Sequence, residues 1–461
     1  MKKSRKIIPI AIGIKMNKFK ITTFFLLVVF IVKSQQNPAE FTLQSAIDYA
    51  LKHNASYLNT EADAKYSVYK KNELLGQGLP QINSSFDVKD NAILPTSLLP
   101  AQFFGGMPGT FAPVKFGVQY NATAGVSASQ LIFNSNFFVG IQATKEIVNL
   151  SQKNILRSKV ETAQNVSKAY YGALVNRERL KILDLNITRI KNLKDNATAL
   201  NQNGFVEKID VDRLEVGYNN LVTEKEKTTR LVELSETVLK FQMGYDFNQP
   251  ITLSDNLEKA GAAEDLQNLV MNDKPDVSKR PEFLVLQSQQ RLNELDLKRY
   301  RLNYLPMIGA YGSYAQMFQK NTLDFSTKNW YPFAIIGATI NMGIFDGLQN
   351  NWRIQQAKIT LLKTQNSVNQ LKQALDMEAQ STAVIYKNAL ASLQTQKKNI
   401  DLAQNIFDVV KKKYEQGIGS SLELNTAEND LQQAQTNYYN TLYDLIVAKI
   451  DYQKATGTLI K

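Results

Sequence analysis

Residues 114–132 read Val114-Lys115-Phe116-Gly117-Val118-Gln119-Tyr120-Asn121-Ala122-Thr123-Ala124-Gly125-Val126-Ser127-Ala128-Ser129-Gln130-Leu131-Ile132. The even positions are Val114, Phe116, Val118, Tyr120, Ala122, Ala124, Val126, Ala128 and Ile132, with Gln130 as the one strongly polar member. The odd positions up to Ser129 are Lys115, Gly117, Gln119, Asn121, Thr123, Gly125, Ser127 and Ser129. Period-two alternation of this kind predicts a strand of roughly twenty residues, where an ordinary strand has about five or six. One face is apolar and the other polar, as in a barrel strand between lipid and a wet lumen.

The sequence on either side changes period. After Pro113 no proline occurs until Pro250, and after Pro332 none occurs to the end. Proline is costly inside a helix, so both gaps permit very long helices. The segment Asn134 to Asn203 is helix-like, breaks at Asn203-Gly204, and resumes as helix to about Met243. The second gap repeats the design from Asp346 to Gln416, rich in Gln, Lys, Ala and Leu. There Ile354, Ala357, Leu361, Val368, Leu371, Leu375, Ile385 and Ala389 fall on one three/four-spaced register, interrupted by Thr364, Glu378 and Thr382. After Gly417-Ile418-Gly419-Ser420 a second register runs Leu424, Ala427, Leu431, Ala434, Tyr438, Thr441, Leu445, Ala448, Tyr452, Ala455. That spacing is what helices need to pack along a coiled-coil seam. Each first segment would be roughly 105 Å long at about 1.5 Å per residue, too long for an ordinary globule.

A strand-like piece, Trp330 to Ile344, precedes the second long helix, with a less polar odd face. Upstream partners open at Leu79-Pro80-Gln81-Ile82 and Leu305-Pro306-Met307-Ile308. Between the first pair, Asn91 to Pro113 holds Pro95, Pro100, Pro108, Pro113 and Gly105-Gly106, which predicts an irregular exposed loop. The corresponding second loop, about Lys320 to Asn329, is short and polar. The chain is thus an internal duplication. Gln130-Leu131-Ile132-Phe133-Asn134 matches Met342-Gly343-Ile344-Phe345-Asp346, and Gly204, Asp210, Val211 and Glu215 match Gly417, Glu423, Leu424 and Glu428. The expected division is an N-terminal extension and signal peptide at 1–34, then two repeats. The first is 35–255, with hairpin 80–133 and helices 134–245; the second is 256–461, with hairpin 306–345 and helices 346–457.

Composition narrows the function. The 461 residues carry a net charge of +12, no Cys and one His, His53. Disulfides, thiolate metal sites and Cys nucleophiles are excluded, and a His-rich metal site is disfavoured. The basic residues are spread among acidic and amide side chains, which favours a solvated surface over nucleic-acid binding. No phosphate loop occurs, and Gly76-Gln77-Gly78 lacks the third glycine of a dinucleotide turn and is followed by Pro80. His53 and the pairs Tyr170-Tyr171 and Tyr438-Tyr439 read as helix-surface and packing residues. No enzyme and no cofactor are expected. At the N-terminus, Lys18 and Lys20 precede an apolar run, Ile21 to Val32, followed by Lys33-Ser34-Gln35. The run fits a signal-peptide core cut near Gln35, with an uncleaved anchor as the alternative and Met1 or Met16 as the start. No later apolar stretch reaches the roughly 18 residues of a membrane helix, so any spanning structure must be made of strands.

With these features in place, the chain resembles the TolC-like outer-membrane efflux family. The motif Tyr414-Glu415-Gln416-Gly417-Ile418-Gly419-Ser420-Ser421-Leu422-Glu423-Leu424 is similar to the family's aromatic-x-x-Gly-x-x-Ser-x-x-acidic-aliphatic turn. Lys454-Ala455-Thr456-Gly457-Thr458-Leu459 resembles its C-terminal motif, and Phe41-Thr42-Leu43-Gln44-Ser45-Ala46 its start. The resemblance implies a long antiparallel coiled-coil helical barrel fused to a transmembrane β-barrel, with four strands per subunit and twelve per homotrimer. It implies an outer-membrane location with a long periplasmic portion, and service as the exit duct of a tripartite efflux or type I secretion system. The partners would be a periplasmic adaptor protein, an inner-membrane pump and outer-membrane lipid. The implied adaptor contacts are Gly204, Phe205, Gly417, Gly419 and Ser420. Asp210 and Glu423 match acidic residues that narrow the periplasmic mouth; their mutual repulsion in a trimer would be eased by cations or raised pKa values. Two simpler roles stay open, left-handed caps for the glycines and dipole-favoured first-turn acids for the carboxylates. The rival to the duct is a porin or an envelope-spanning coiled-coil protein without pump partners.

Overall fold

The computed structural model describes residues 39–257, 276–325 and 328–460. The expected extension and signal peptide, 1–34, lie outside the described residues. The helices are α1 (Leu43–His53), α2 (Ala55–Gly76), α3 (Ser135–Gln202), α4 (Lys208–Met243), α5 (Pro281–Leu302), α6 (Gln349–Glu415) and α7 (Ser421–Thr456). The strands are β1 (Ala39–Phe41), β2 (Gln81–Asp90), β3 (Thr96–Pro100), β4 (Phe111–Lys115), β5 (Tyr120–Phe133), β6 (Ile251–Leu253), β7 (Met307–Lys320) and β8 (Trp330–Asn341).

The two halves match closely in length. Helices α2 and α5 have 22 residues each, α3 and α6 have 68 and 67, and α4 and α7 have 36 each. At about 1.5 Å per residue α3 is roughly 100 Å long. Its start is fixed by Asn134, whose side chain accepts hydrogen bonds from the backbone N–H groups of Asn136 and Phe137 at 2.8 and 3.4 Å.

Strands β2, β5, β7 and β8 form one antiparallel sheet in the order β2-β5-β7-β8. All four strand ends joined to long helices lie at one end of this sheet. Partners include Ile82 with Ala128, Ala124 with Gln316, and Tyr314 with Ala334, so even-numbered residues of all four strands share a face. That face carries Ile82, Phe86, Val88, Ala124, Val126, Ile336 and Ile340; the other carries Asn83, Ser85, Asn121, Thr123, Ser127, Ser129 and Ser313. The alternation is clear in β5 and weakens in β7 and β8, whose odd-numbered residues include Met307, Tyr311, Met317, Tyr331, Phe333 and Ile335.

Three expectations need correction. The single strand 114–132 is two: β4 ends at Lys115, and the chain bends at Gly117, whose φ is +103°, before β5 begins at Tyr120. The irregular loop Asn91–Pro113 is mostly a β-hairpin, with β3 and β4 paired from Thr96–Lys115 to Pro100–Phe111. Proline is tolerated there because an isolated two-stranded ribbon has only edges. The strand expected to reach Ile344 stops at Asn341.

The helices bury two main apolar clusters along their length. One, midway along α3, joins Phe41, Val166, Tyr170, Leu174, Leu239, Met243, Leu442 and Ile446. Tyr170 donates to the Phe41 carbonyl at 2.9 Å, and β1 pairs in parallel with β6, tying the two ends of the first repeat together. Burial raises the Tyr170 hydroxyl pKa far above the ordinary tyrosine range. The other cluster joins Leu183, Ile190, Leu193, Val211, Leu214, Phe407, Leu424 and Leu431. In the α7 register Leu424, Ala427, Leu431, Leu445, Ala448, Tyr452 and Ala455 are buried as the spacing predicts. In α6 Ile385 is exposed, and Tyr386 beside it is buried instead. Two of the polar interruptions in that register meet α5 or its N-cap: Asn293 donates to Thr364 at 2.7 Å, and the N-cap Arg280 pairs with Glu378 at 3.1 Å.

Candidate functional site

The helical end far from the sheet carries two turns of the same construction. At the first, Gly204 has φ +78°; its N–H donates to the Asn201 carbonyl at 2.9 Å, and the Phe205 N–H donates to the Leu200 carbonyl at 2.9 Å. At the second, Gly417 has φ +77°; its N–H donates to the Tyr414 carbonyl at 3.0 Å, and the Ile418 N–H donates to the Lys413 carbonyl at 3.0 Å. Both satisfy the last carbonyls of a long helix with a left-handed glycine. Gly419 is small for a different reason: a Cβ there would lie 2.9 Å from the Tyr414 backbone nitrogen. Ser420 caps α7, accepting from the Glu423 N–H at 3.2 Å.

Each turn presents one apolar side chain to solvent at the same position, Phe205 at 79% exposure and Ile418 at 74%. Sequence reasoning picked out Phe205 and passed over Ile418, although the alignment of Gly204 with Gly417 puts them in register. Leu422 and Ile209 are exposed close by.

Asp210 and Glu423 both lie at this end but in different surroundings. Asp210 is half-buried, accepts a hydrogen bond from the Ser421 hydroxyl, and has the Arg213 guanidinium at 3.7 Å. It therefore stitches the first turn of α4 to the first residue of α7. Glu423 is exposed. Tyr414, at the end of α6, has its hydroxyl pKa raised by burial and by the Asp210 charge.

Behind the turns lies a polar junction that the sequence did not reveal. Arg189 on α3 reaches the Glu428 carboxylate on α7 at 3.0 Å and the Asn186 side chain at 2.8 Å, and its guanidinium lies 4.5 Å over the Phe407 ring of α6. Asn186 donates to Gln435 at 2.8 Å. Glu428 is only 2% exposed. Its counterpart in the first repeat, Glu215, pairs with Lys194 at 3.0 Å at a more open position. Among the described residues no cluster of three or more His, Cys, Asp or Glu side chains could hold a metal ion, and no helix is long and apolar enough to cross a membrane.

Comparison with known proteins agrees with this geometry. Residues 278–458 match the model of the outer membrane efflux protein family. The outer membrane efflux protein BepC of Brucella suis is 21% identical over 422 residues, covering 91% of this chain and 86% of that protein. The structure of CusC, described in connection with folding and transmembrane channel formation, superposes with a TM-score of 0.72 at 14% identity over 92% of this chain and 95% of its own. The Campylobacter jejuni CmeC outer membrane channel gives a TM-score of 0.71 at 14% identity, with 91% and 86% covered. With its long paired helices and four-stranded sheet, the chain has the fold of these solved outer membrane channels, and its residues 278–458 carry the match to the outer membrane efflux protein family.

Proposed function

We propose that this protein is an outer-membrane efflux channel that works as a homotrimer, the passive exit duct of a tripartite efflux or type I secretion system. The observation that carries the proposal is the sheet itself. Four strands present one largely apolar face, the opposite face is polar along β2 and β5, and among the described residues both edge strands, β2 and β8, are open. An open edge cannot persist in lipid, so copies must join edge to edge. The helices support the same closure. Val216, Leu231, Leu234, Val238 and Phe241 on α4, and Met377, Val384, Leu402, Ile406 and Val409 on α6, are exposed apolar rows on the two outer helices of the layer. A neighbouring copy would cover both.

In this assembly the polar strand face lines a water-filled lumen, and the helices continue it into the periplasm as a tube. At the far end, the paired turns with Phe205 and Ile418 would receive a periplasmic adaptor, and threefold repetition of Asp210 and Glu423 would form an acidic mouth. The chain performs no chemistry, so the driving energy comes from an inner-membrane pump. The Asp210–Ser421 link holds α4 against α7, and opening would require these helices to part. Planar-bilayer recordings test the gate: Asp210→Ala and Glu423→Ala should change conductance or reduce cation preference, and unchanged values in both would remove it. For the tip, Phe205→Ser together with Ile418→Ser should abolish adaptor co-purification while leaving the trimer intact.

A further inference from the structure

The β3–β4 hairpin is an asymmetry between the two halves of the chain. It occupies residues 91–119 between β2 and β5, where the second repeat has only 321–329 between β7 and β8. It stands at the end of the sheet opposite the helices, on the outer side of the membrane under the assembly proposed above. Its composition is unlike the rest of the chain: Lys115 is its only charged residue in a protein of 461 residues with net charge +12. Its end bears Leu98, Phe103, Phe104, Met107 and Phe111, all exposed, Met107 at 78% and Phe103 at 73%. Five exposed large apolar side chains on one short uncharged stretch are costly in water and mark a contact surface.

The root of the hairpin is ordered and bent. The Asn91 N–H donates to the Gln119 carbonyl at 2.7 Å, the Phe116 N–H to the Pro95 carbonyl at 3.2 Å, and the Gln119 N–H to the Asn321 side chain of the second loop at 3.1 Å. Gly117, with φ +103°, turns the ribbon away from the line of β5. The hairpin also grows from β2, an edge strand, so it emerges beside the junction between copies.

We propose that the hairpins of three copies converge over the outer mouth of the barrel and pack their apolar ends against one another, forming an external constriction. Reach allows it. Five residues in each of β3 and β4 extend about 17 Å at about 3.4 Å per residue. Twelve strands about 4.8 Å apart and tilted about 40° give a barrel radius of roughly 12 Å. An apolar ring at such a point excludes water and hence ions, as hydrophobic gates do. The proposal rests on the threefold assembly, which places the three clusters around a single opening.

The chain has no Cys, so Phe104→Cys introduces a single addressable thiol. Treatment of purified trimer with a short bismaleimide should link Phe104→Cys subunits into dimers on a denaturing gel. In bilayers, Phe103→Ser/Phe104→Ser/Met107→Ser/Phe111→Ser should raise open-channel conductance at least twofold. Subunits that remain unlinked in particles shown to be threefold by native mass spectrometry would overturn the constriction and leave the channel assignment standing. Failure to find threefold particles at all would overturn both. Quenching of a fluorophore on Phe104→Cys by spin-labelled lipid would place the cluster in the outer leaflet and would likewise overturn the constriction.

Discussion

The guanidinium of Arg189 meets the carboxylate of Glu428 at 3.0 Å, joining α3 to α7 behind the turns at Gly204 and Gly417. The carboxylate is almost wholly enclosed, and one of its oxygens has no hydrogen-bond partner. Arg189 is itself enclosed on one side by the Phe407 ring. Removing one member of a buried pair leaves the other charge uncompensated. Arg189→Met should therefore cost about 3 kcal/mol, and Arg189→Met/Glu428→Met should recover most of the loss. Denaturant unfolding of the detergent-solubilised protein measures both. A double variant no better than the single one would contradict the pairing.

The same carboxylate should impose a pH dependence. Burial raises the Glu428 pKa above the ordinary glutamate range, and the Arg189 charge offsets this only in part. The folded protein then holds a proton at Glu428 more tightly than the unfolded chain. The resulting stability is fully present below the ordinary glutamate pKa and is lost as pH rises through the raised value. Glu428→Gln abolishes that titration. Its Tm should fall less than that of the unaltered protein between about pH 4 and about pH 8. Parallel Tm curves would contradict the shift.

Glycine substitutions should separate backbone strain from crowding. At Gly417 an added Cβ meets nothing, so Gly417→Ala suffers only the left-handed backbone penalty of about 1 kcal/mol. At Gly244, φ is +68° and a Cβ would lie 2.5 Å from the His53 carbonyl oxygen. There Asn54 also donates to the Gln242 carbonyl at 2.8 Å, pinning the end of α4 to the α1–α2 junction. Gly244→Ala should cost about 3 kcal/mol, because strain and displacement of packed backbone act together. Equal melting temperatures for the two variants would rule out the crowding.

Much of the architecture was legible because strong local signals coincide with element ends. Asn134 and Gly204 bound α3 within a residue of the expected limits, since a side-chain cap and a left-handed glycine are read directly from sequence. Strand parity was legible in β5, where apolar and polar side chains alternate from Tyr120 to Ser129, and less so in β8, where Tyr331, Phe333 and Ile335 fall on the odd face. The β3–β4 hairpin was not, because Pro95, Pro100 and Pro113 signal irregular chain and only the pairing of Leu98 with Pro113 reveals a ribbon. The Arg189–Glu428 junction was hidden for another reason. Both residue types are common on exposed helix faces, and only the contact of α3 with α7 buries them. Asp210 and Glu423 occupy equivalent positions in sequence, yet Ser421 and Arg213 engage Asp210 while Glu423 stays exposed, a difference that arises from packing alone.

Single-particle electron microscopy of the intact, detergent-extracted protein tests the central claim most directly. The expected image is a threefold particle with a short barrel at one end, a hollow axis, and a helical tube of roughly 100 Å built from α3 and α6. A compact monomer, or an oligomer in which the edges of β2 and β8 stay unpaired and no channel runs along the axis, would contradict it.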